Sequence, residues 1–228
     1  TLDSTSLTPV RQAVTRARRA GLTVRIRRHG ELTDSEMADI IAFTDAWRLG
    51  GAERGFSMAL ERLGDPADDR CLLVTAHDAD GDPVGLLSFV PWGLTGLSLD
   101  VMRRSPEAPN GVTELMVAEL MDAAGDLGVV QVSLNFAVMR SVFADAEELG
   151  ASPIAKAGSG LLGFLDRFTQ IESLYRNNEK YRPDWRPRYV CYEGTVSLAP
   201  VGLAIGALEG FLPYPGHSRP AAHRLLSP

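Results

Sequence analysis

The segment 176–189 brings basic and aromatic side chains together between two prolines. Its basic residues are Arg176, Lys180, Arg182, Arg186 and Arg188, and its aromatic residues are Tyr181, Trp185 and Tyr189. Pro183 and Pro187 fix φ and remove backbone donors, so we predict an ordered, extended loop after about residue 181. Guanidinium and ammonium groups beside rigid rings can bind phosphate or carboxylate. The same residues would also suit a helix end, with Trp185 filling the core.

An aspartate and an arginine lie close together in the predicted strand 97–102 and at its end. The apolar row of this strand consists of Leu97, Leu99 and Val101. Asp100 belongs to the opposite row, which faces either solvent or a cleft, and Arg103 follows at the strand end. In a cleft, such a pair can orient a hydroxyl group and hold a phosphate. On an open surface it would be an ion pair of little energetic value.

Two further polar residues lie near the ends of predicted elements. Glu114 lies one turn into a helix that Asn110 is predicted to cap, where the helix dipole is itself a sufficient reason for a carboxylate. Asn135 ends the predicted strand 129–135 and is expected to line the cleft.

The first 30 residues are strongly basic within an acidic chain. The 228-residue chain has a net charge of −6, yet residues 1–30 hold seven arginines against Asp3. Thr8, Pro9 and Gly21 are typical helix-boundary residues and predict a helix over residues 8–21. Arg11, Arg16, Arg18 and Arg19 have no acidic partner within this helix, which favours a face that contacts a polyanion over a merely solvated face.

The remaining elements predict an α+β domain with a mostly antiparallel sheet. Strands are predicted at 23–29, 71–77, 83–90, 97–102, 129–135, 189–193 and 195–198. Helices are predicted at 33–49, 56–63, 110–127, 140–150 and 161–177. This order fits the N-acetyltransferase type of acyltransferase fold. We therefore expect a connector helix at 1–21, a transferase domain at 22–198 and an extension at 199–228 whose end is disordered.

Two glycine-containing motifs argue against common cofactors. Residues 158–163 match the pattern G-x-G-x-x-G, but no strong strand precedes them, so a dinucleotide site is disfavoured. The loop 103–111, where this fold class usually binds coenzyme A, has one glycine and two prolines and offers few donors to a pyrophosphate. The histidines are scattered, so we expect no metal, and we expect no cofactor.

Three segments resemble the phosphatidylglycerol lysyltransferases, bacterial enzymes that move an amino acid from aminoacyl-tRNA to phosphatidylglycerol. They are Asn-x-Lys-Tyr-x-Pro-x-Trp-x-Pro-Arg-Tyr at 178–189, Val-Pro-Trp-Gly at 90–93 followed by Ser-Leu-Asp-Val-Met-Arg at 98–103, and Pro-Asn-Gly-Val-Thr-Glu-Leu at 109–115. The resemblance covers about residues 7–212 and is strongest to the actinobacterial type that is fused to a lysyl-tRNA synthetase.

This resemblance implies transfer of lysine from lysyl-tRNA to a glycerol hydroxyl of phosphatidylglycerol at the cytoplasmic face of the membrane, a reaction tied to cationic peptide resistance. It implies Asp100, Arg103 and Lys180 as catalytic residues. The expected substrate-binding residues are Trp92, Arg104, Glu114, Asn135, Tyr181, Arg182, Trp185 and Arg188. The basic helix would bind tRNA, an anionic membrane surface would be a partner, and an N-terminal membrane region and a C-terminal synthetase module would complete the protein.

Two alternatives stay open on the residues alone. One is an acyl-coenzyme A-dependent N-acyltransferase of the same fold, and the other is a non-catalytic module that binds tRNA or anionic membrane through its arginines. The sequence shows no signal peptide, and the candidate span 198–208, which is uncharged over 11 residues and contains Pro200 and two glycines, is too short to cross a bilayer. The residues alone do not identify the transferred amino acid, and lysine is expected from the resemblance.

Overall fold

The computed structural model describes residues 7–47, 63–135, 178–186, 191, 193–197, 200–201 and 204. Its helices are α1 (Thr8–Arg19), α2 (Asp34–Ala46) and α3 (Val112–Ala123). Its strands are β1 (Thr23–Arg28), β2 (Leu72–His77), β3 (Pro83–Trp92), β4 (Gly96–Arg104) and β5 (Gln131–Ser133). Short 3₁₀ turns lie at His29–Glu31, Pro66–Asp68 and Thr195–Ser197.

The five strands form one mixed sheet in the order β1-β2-β3-β4-β5. The first four strands pair antiparallel, whereas β5 pairs parallel to β4 after the α3 crossover. The turn between β2 and β3 is closed by a hydrogen bond from the Asp78 N–H to the Asp82 carbonyl, 2.9 Å long. The predicted α+β class with a mostly antiparallel sheet is confirmed.

Helices cover both faces of the sheet. On one face, α1 and α3 bury the main apolar cluster, which includes Val14, Leu87, Phe89 and Leu115. Val10, Val14 and Ala17 form an apolar stripe along α1, and all three are buried in this cluster. A side chain on Gly111 would lie 2.5 Å from the Ala13 carbonyl oxygen, so this glycine permits the close approach of α1. The burial of this surface is the main stabilising contribution on that face.

The opposite face is covered by α2 and has a smaller apolar cluster. Its buried members are Ile40, Leu73, Leu86 and Val101. The predicted capping box of α2 is present, because the Thr33 hydroxyl accepts from the Glu36 N–H and the Glu36 carboxylate accepts from the Thr33 N–H.

One extra residue in β4 changes which face of the sheet the side chains after it point to. Leu99 pairs with Phe89 and Val101 pairs with Ser88, so Asp100 is the unmatched residue of a β-bulge. Leu99 therefore packs in the α1–α3 cluster, whereas Val101 packs in the α2 cluster. The predicted single apolar row through residues 97, 99 and 101 is wrong for this reason.

Several predicted boundaries also differ. Gly111, with φ of +103°, precedes α3 without a side-chain cap, so Asn110 does not cap it. Residues 195–197 form a 3₁₀ turn and not a strand. Predicted helices at 56–63, 140–150 and 161–177 and most of the predicted strand at 189–193 fall outside the described residues. Within the described part of the chain, no helix has the length and apolarity needed to cross a bilayer.

Candidate functional site

Asp100 is a carboxylate held inside the sheet by the bulge of β4. Asp100 is only 8% exposed and lies in the middle of an apolar strand. Burying a carboxylic acid there is costly unless polar groups contact it. A bulge places a side chain where a regular strand would not and is a common feature next to functional sites.

The two parallel strands part beside Asp100. The β4–β5 pairing covers only three positions, from Gly96 with Gln131 to Ser98 with Ser133. Beyond it, the Asn135 side-chain amide donates to the Leu99 carbonyl over 3.1 Å, and Asn135 itself adopts φ of +68°. The backbone pairing of the two strands therefore ends just before Asp100, and this side-chain hydrogen bond joins Asn135 to β4 beyond that point. Asn135 lies two residues past the end of β5, and not within the strand as predicted, and its side chain contacts the backbone next to Asp100.

Arg103 points to the α2 face of the sheet and pairs with Asp45. The distance from the Arg103 Nη1 to the Asp45 Oδ1 is 3.0 Å, and the arginine side chain is largely buried. Asp45 lies in the last turn of α2, so this ion pair joins α2 to the end of β4. Arg104, the next residue, is exposed at the end of the strand.

Lys180 and Glu114 form a second ion pair, which joins two segments 66 residues apart. The Lys180 Nζ lies 2.8 Å from the Glu114 Oε1, and both side chains are mostly buried. The Lys180 ammonium also lies 5.1 Å from the centre of the Tyr181 ring. The helix dipole at the start of α3 favours the carboxylate, so Glu114 has two sources of stabilisation.

The hydroxyl of Tyr181 is buried and has no hydrogen-bond partner among the atoms that the structure describes. Burial raises the pKa of Tyr181 well above its usual range, and the nearby charge of Glu114 raises it further. A raised pKa keeps this phenol neutral, so it remains an O–H donor. A buried donor without a partner is costly, and an oxygen atom of a bound substrate would remove that cost.

The loop after Tyr181 is ordered by local contacts. The Trp185 indole N–H donates to the Glu179 carboxylate over 2.9 Å, and the Arg182 N–H donates to the Glu179 carbonyl. Arg182 adopts φ of +49° and is exposed, and Arg186 pairs with Asp184. The predicted non-helical loop is observed over residues 181–186, whereas Arg188 lies outside the described residues.

Three of the four α1 arginines line one groove. Its lining consists of Thr8, Arg11, Gln12, Thr15, Arg16 and Arg19, and its volume is about 370 Å³. Arg11 donates to the Thr8 hydroxyl over 3.0 Å. Arg18 points elsewhere and pairs with Glu119 of α3 at 2.8 Å. The arginines therefore differ in how much of their charge is already neutralised within the protein.

The structure brings together Asp100, Asn135 and the Leu99 carbonyl, and separately Glu114, Lys180 and Tyr181. Trp92 belongs to neither group. It is the last residue of β3 and pairs with Gly96, at the end of β4 farthest from Arg103. Sequence reasoning missed Asp45 and Glu179, which orient Arg103 and Trp185. Neither belongs to a motif, and only tertiary packing identifies them. Among the described residues, no group of three acidic, histidine or cysteine side chains could hold a metal ion.

Comparisons with known proteins identify the family of this chain. The family model for the C-terminal region of phosphatidylglycerol lysyltransferases matches residues 1–192. The chain is 59% identical over 214 residues to the lysylphosphatidylglycerol biosynthesis bifunctional protein LysX of Mycobacterium avium. It is 56% identical to the LysX protein of Mycobacterium tuberculosis. These matches cover 94% of this chain and 18% of each relative, so the chain spans about a fifth of their length.

Two solved structures share the fold. The C-terminal domain of an Agrobacterium fabrum protein assigned as a lysylphosphatidylglycerol synthetase superposes with a TM-score of 0.67 at 18% identity, covering 91% of this chain and 61% of that chain. L-PGS of Bacillus licheniformis gives a TM-score of 0.60 at 19% identity, covering 92% of this chain and 62% of that chain.

The mixed α+β sheet with its parallel final pair is thus the fold of these two solved structures. The chain belongs to the phosphatidylglycerol lysyltransferase family, as its segments at 90–103, 109–115 and 178–189 indicated.

Proposed function

We propose that this chain transfers a lysyl group from lysyl-tRNA to a glycerol hydroxyl of phosphatidylglycerol. The observation that carries the proposal is Asp100, a buried carboxylate on a bulge of β4 just past the end of the pairing between β4 and β5. The lipid hydroxyl oxygen attacks the ester carbonyl carbon of lysyl-tRNA. The new ester bond forms, the bond to the tRNA ribose oxygen breaks, and the hydroxyl proton ends on that ribose oxygen.

The described side chains supply the groups that this reaction needs. Asp100 orients the lipid hydroxyl and accepts its proton. Arg103 holds the lipid phosphate, since Asp45 has already fixed the direction of its guanidinium. Lys180, held in place by its ion pair with Glu114, stabilises negative charge on the carbonyl or ribose oxygen. The donor is an activated ester, so no cofactor enters the scheme.

Other side chains complete the substrate contacts in this proposal. Glu114 faces the cationic aminoacyl group, and Tyr181 donates its unpartnered hydroxyl to a substrate oxygen. Asn135 orients the backbone of Leu99, next to Asp100. The remaining substrate contacts are assigned to Arg104, Arg182, Trp185 and Arg188, whereas Trp92, which the sequence also predicted to bind substrate, lies away from these groups.

The groove of α1 is proposed to contact tRNA. Replacement of Arg11, Arg16 and Arg19 by glutamine is expected to weaken tRNA binding and to lower the slope of log K against log salt by up to roughly two units, because fewer counterions are released. Arg18→Gln is the matched control and is expected to have a smaller effect, since Arg18 is already paired with Glu119. Filter binding at several salt concentrations measures the slopes. An unchanged slope in the triple variant would assign this helix face to packing alone.

The lipid phosphate is proposed to bind Arg103. Arg103→Lys keeps the charge but loses the planar fork, so transfer to short-chain phosphatidylglycerol is expected to fall about tenfold or more. Arg104→Lys, on the exposed neighbour, is the control and is expected to change transfer less. Phosphatidic acid, which has the phosphate but no glycerol hydroxyl, is expected to compete without being modified. Equal turnover by Arg103→Lys and the wild type would remove Arg103 from the site.

The reaction is placed at the cytoplasmic face of the membrane, because tRNA and phosphatidylglycerol meet there. A membrane region and a lysyl-tRNA synthetase module are proposed to belong to the full-length protein, as the bifunctional relatives suggest. The choice of lysine over another amino acid rests on those relatives. Incubating the chain with lysyl-tRNA and alanyl-tRNA separately, with phosphatidylglycerol in detergent, tests this choice through the mass of the lipid product.

A further inference from the structure

The turn between β3 and β4 carries exposed apolar side chains at the far end of β4 from Arg103. Trp92 is 41% exposed and Leu94 is 99% exposed. Val130, which is 78% exposed, joins them because its N–H donates to the Thr95 carbonyl over 2.9 Å. We call this corner of the sheet, formed by residues 92–96 and 129–130, the apolar tip.

The apolar tip has a fixed backbone. Trp92 pairs with Gly96 across the turn, and Gly93 adopts φ of +65°. A side chain on Gly96 would lie 2.5 Å from the Trp92 carbonyl oxygen, so the turn needs glycine there. The structure therefore presents Leu94 at the apex of a closed hairpin.

The apolar tip is also uncharged over a long stretch of sequence. No ionisable residue occurs from Pro83 to Leu99 or from Leu127 to Asn135. A lone exposed leucine is ordinary, but three exposed apolar side chains on adjoining segments that contain no ionisable residue indicate an interaction surface. A tryptophan at the base of such a cluster is typical of protein segments at the bilayer interface, and nothing in this tip could neutralise nucleic acid.

The distance from the apolar tip to Asp100 suits insertion of the tip into a bilayer surface. Asp100 is four residues from Gly96 along β4, which is about 13 Å at roughly 3.3 Å per residue. Interfacial protein segments sink about 5–10 Å into the boundary between headgroups and acyl chains. Insertion of the tip to that depth would hold Asp100 within several ångströms of the headgroup layer.

We propose that the apolar tip docks into the bilayer interface and brings Asp100 to the lipid headgroups. This inference rests on the proposed function, because that function makes a bilayer lipid the acceptor. It assigns to Trp92, Leu94 and Val130 the membrane contact of a chain whose described helices do not span a bilayer. The partner is thus a lipid surface, contacted through exposed apolar side chains and not through charge.

Vesicle sedimentation tests the docking. With vesicles of phosphatidylcholine and phosphatidylglycerol, Leu94→Asp and Val130→Asp are each expected to weaken binding of the chain about tenfold or more, because each replaces an inserted apolar side chain with a charge. Met102→Asp is the matched control, since Met102 is as exposed as Trp92 but lies six residues from the tip. Unchanged binding by both tip variants, or an equal loss in Met102→Asp, would overturn the proposal.

Transfer assays separate this inference from the proposed function. With phosphatidylglycerol in vesicles, Leu94→Asp is expected to reduce transfer about tenfold, whereas with monomeric short-chain phosphatidylglycerol it should match the wild type. Equal loss on both lipids would overturn the docking role. If the wild-type chain modified neither lipid, the proposed function would be overturned. Vesicle sedimentation would then still test the docking independently.

Tryptophan fluorescence gives an independent measure. The chain has three tryptophans, so Trp47→Phe with Trp185→Phe leaves Trp92 as the single reporter. Vesicles are expected to shift its emission to the blue, and lipids brominated near the headgroup should quench it. An absence of quenching would contradict the proposal. The proposal would also be contradicted if a tip variant converted a wild-type dimer to a monomer without changing vesicle binding, because the tip would then be a protein contact.

Discussion

Asp100→Asn is expected to lower transfer of lysine to phosphatidylglycerol about 10²-fold or more. Asparagine has nearly the same shape as aspartate but cannot accept the proton of the attacking hydroxyl. The site is buried on a bulge, so little water is available to replace the carboxylate. Initial rates with radiolabelled lysyl-tRNA and phosphatidylglycerol in detergent give the measurement.

A matched carboxylate elsewhere controls for the change in charge. Asp122 is exposed on α3, and Asp122→Asn is expected to leave the rate close to that of the wild type. Near wild-type transfer by a folded Asp100→Asn variant would place the proton acceptor elsewhere in the chain.

Lys180→Ala is expected to reduce transfer to a similar extent and also to destabilise the protein. It removes the cation at the reacting oxygen and leaves Glu114 without its partner in a mostly buried setting. Leaving one charge of such a pair uncompensated is expected to lower the free energy of unfolding by about 1–3 kcal/mol. Urea unfolding and initial transfer rates measure the two effects separately.

The double variant Lys180→Ala with Glu114→Gln separates the structural from the catalytic contribution. Removing both charges should recover most of the lost stability, since no unpaired carboxylate remains. Transfer should stay low, because the cation at the reacting oxygen is still missing. If transfer recovers together with stability, Lys180 has only a structural role.

Local sequence signals predicted the elements that frame the site. The Thr33–Glu36 capping box predicted the start of α2, and Pro9 and Gly21 marked the ends of the α1 region. Apolar runs on either side of a turn predicted β2 and β3, and alternation predicted β4, each to within about two residues. These features depend on interactions between residues close in sequence, so they can be recognised without the fold.

The bulge at Asp100 could not be predicted in this way. The alternation of residues 97–102 is unbroken in the sequence, and the extra residue becomes visible only when β4 is paired with β3. For the same reason, the sequence could not show that Val101 and Leu99 pack on opposite faces.

The ion pairs could not be predicted from the sequence either. Glu114 and Lys180 were each expected in the cleft, but their contact joins segments 66 residues apart. Asp45 carries no motif, and only the packing of α2 on the sheet identifies it as the partner of Arg103. The family resemblance indicated which residues matter, whereas the structure indicates how several of them are oriented.

The lipid product formed from lysyl-tRNA and phosphatidylglycerol tests the central claim most directly. The chain is incubated with both substrates in detergent, and the lipids are resolved by mass. We predict a phosphatidylglycerol species heavier by one lysyl group, formed with lysyl-tRNA but not with free lysine and uncharged tRNA, and no modified phosphatidic acid. A folded chain that binds both substrates and yields no lysylated lipid would contradict the claim and leave this domain as a binding module.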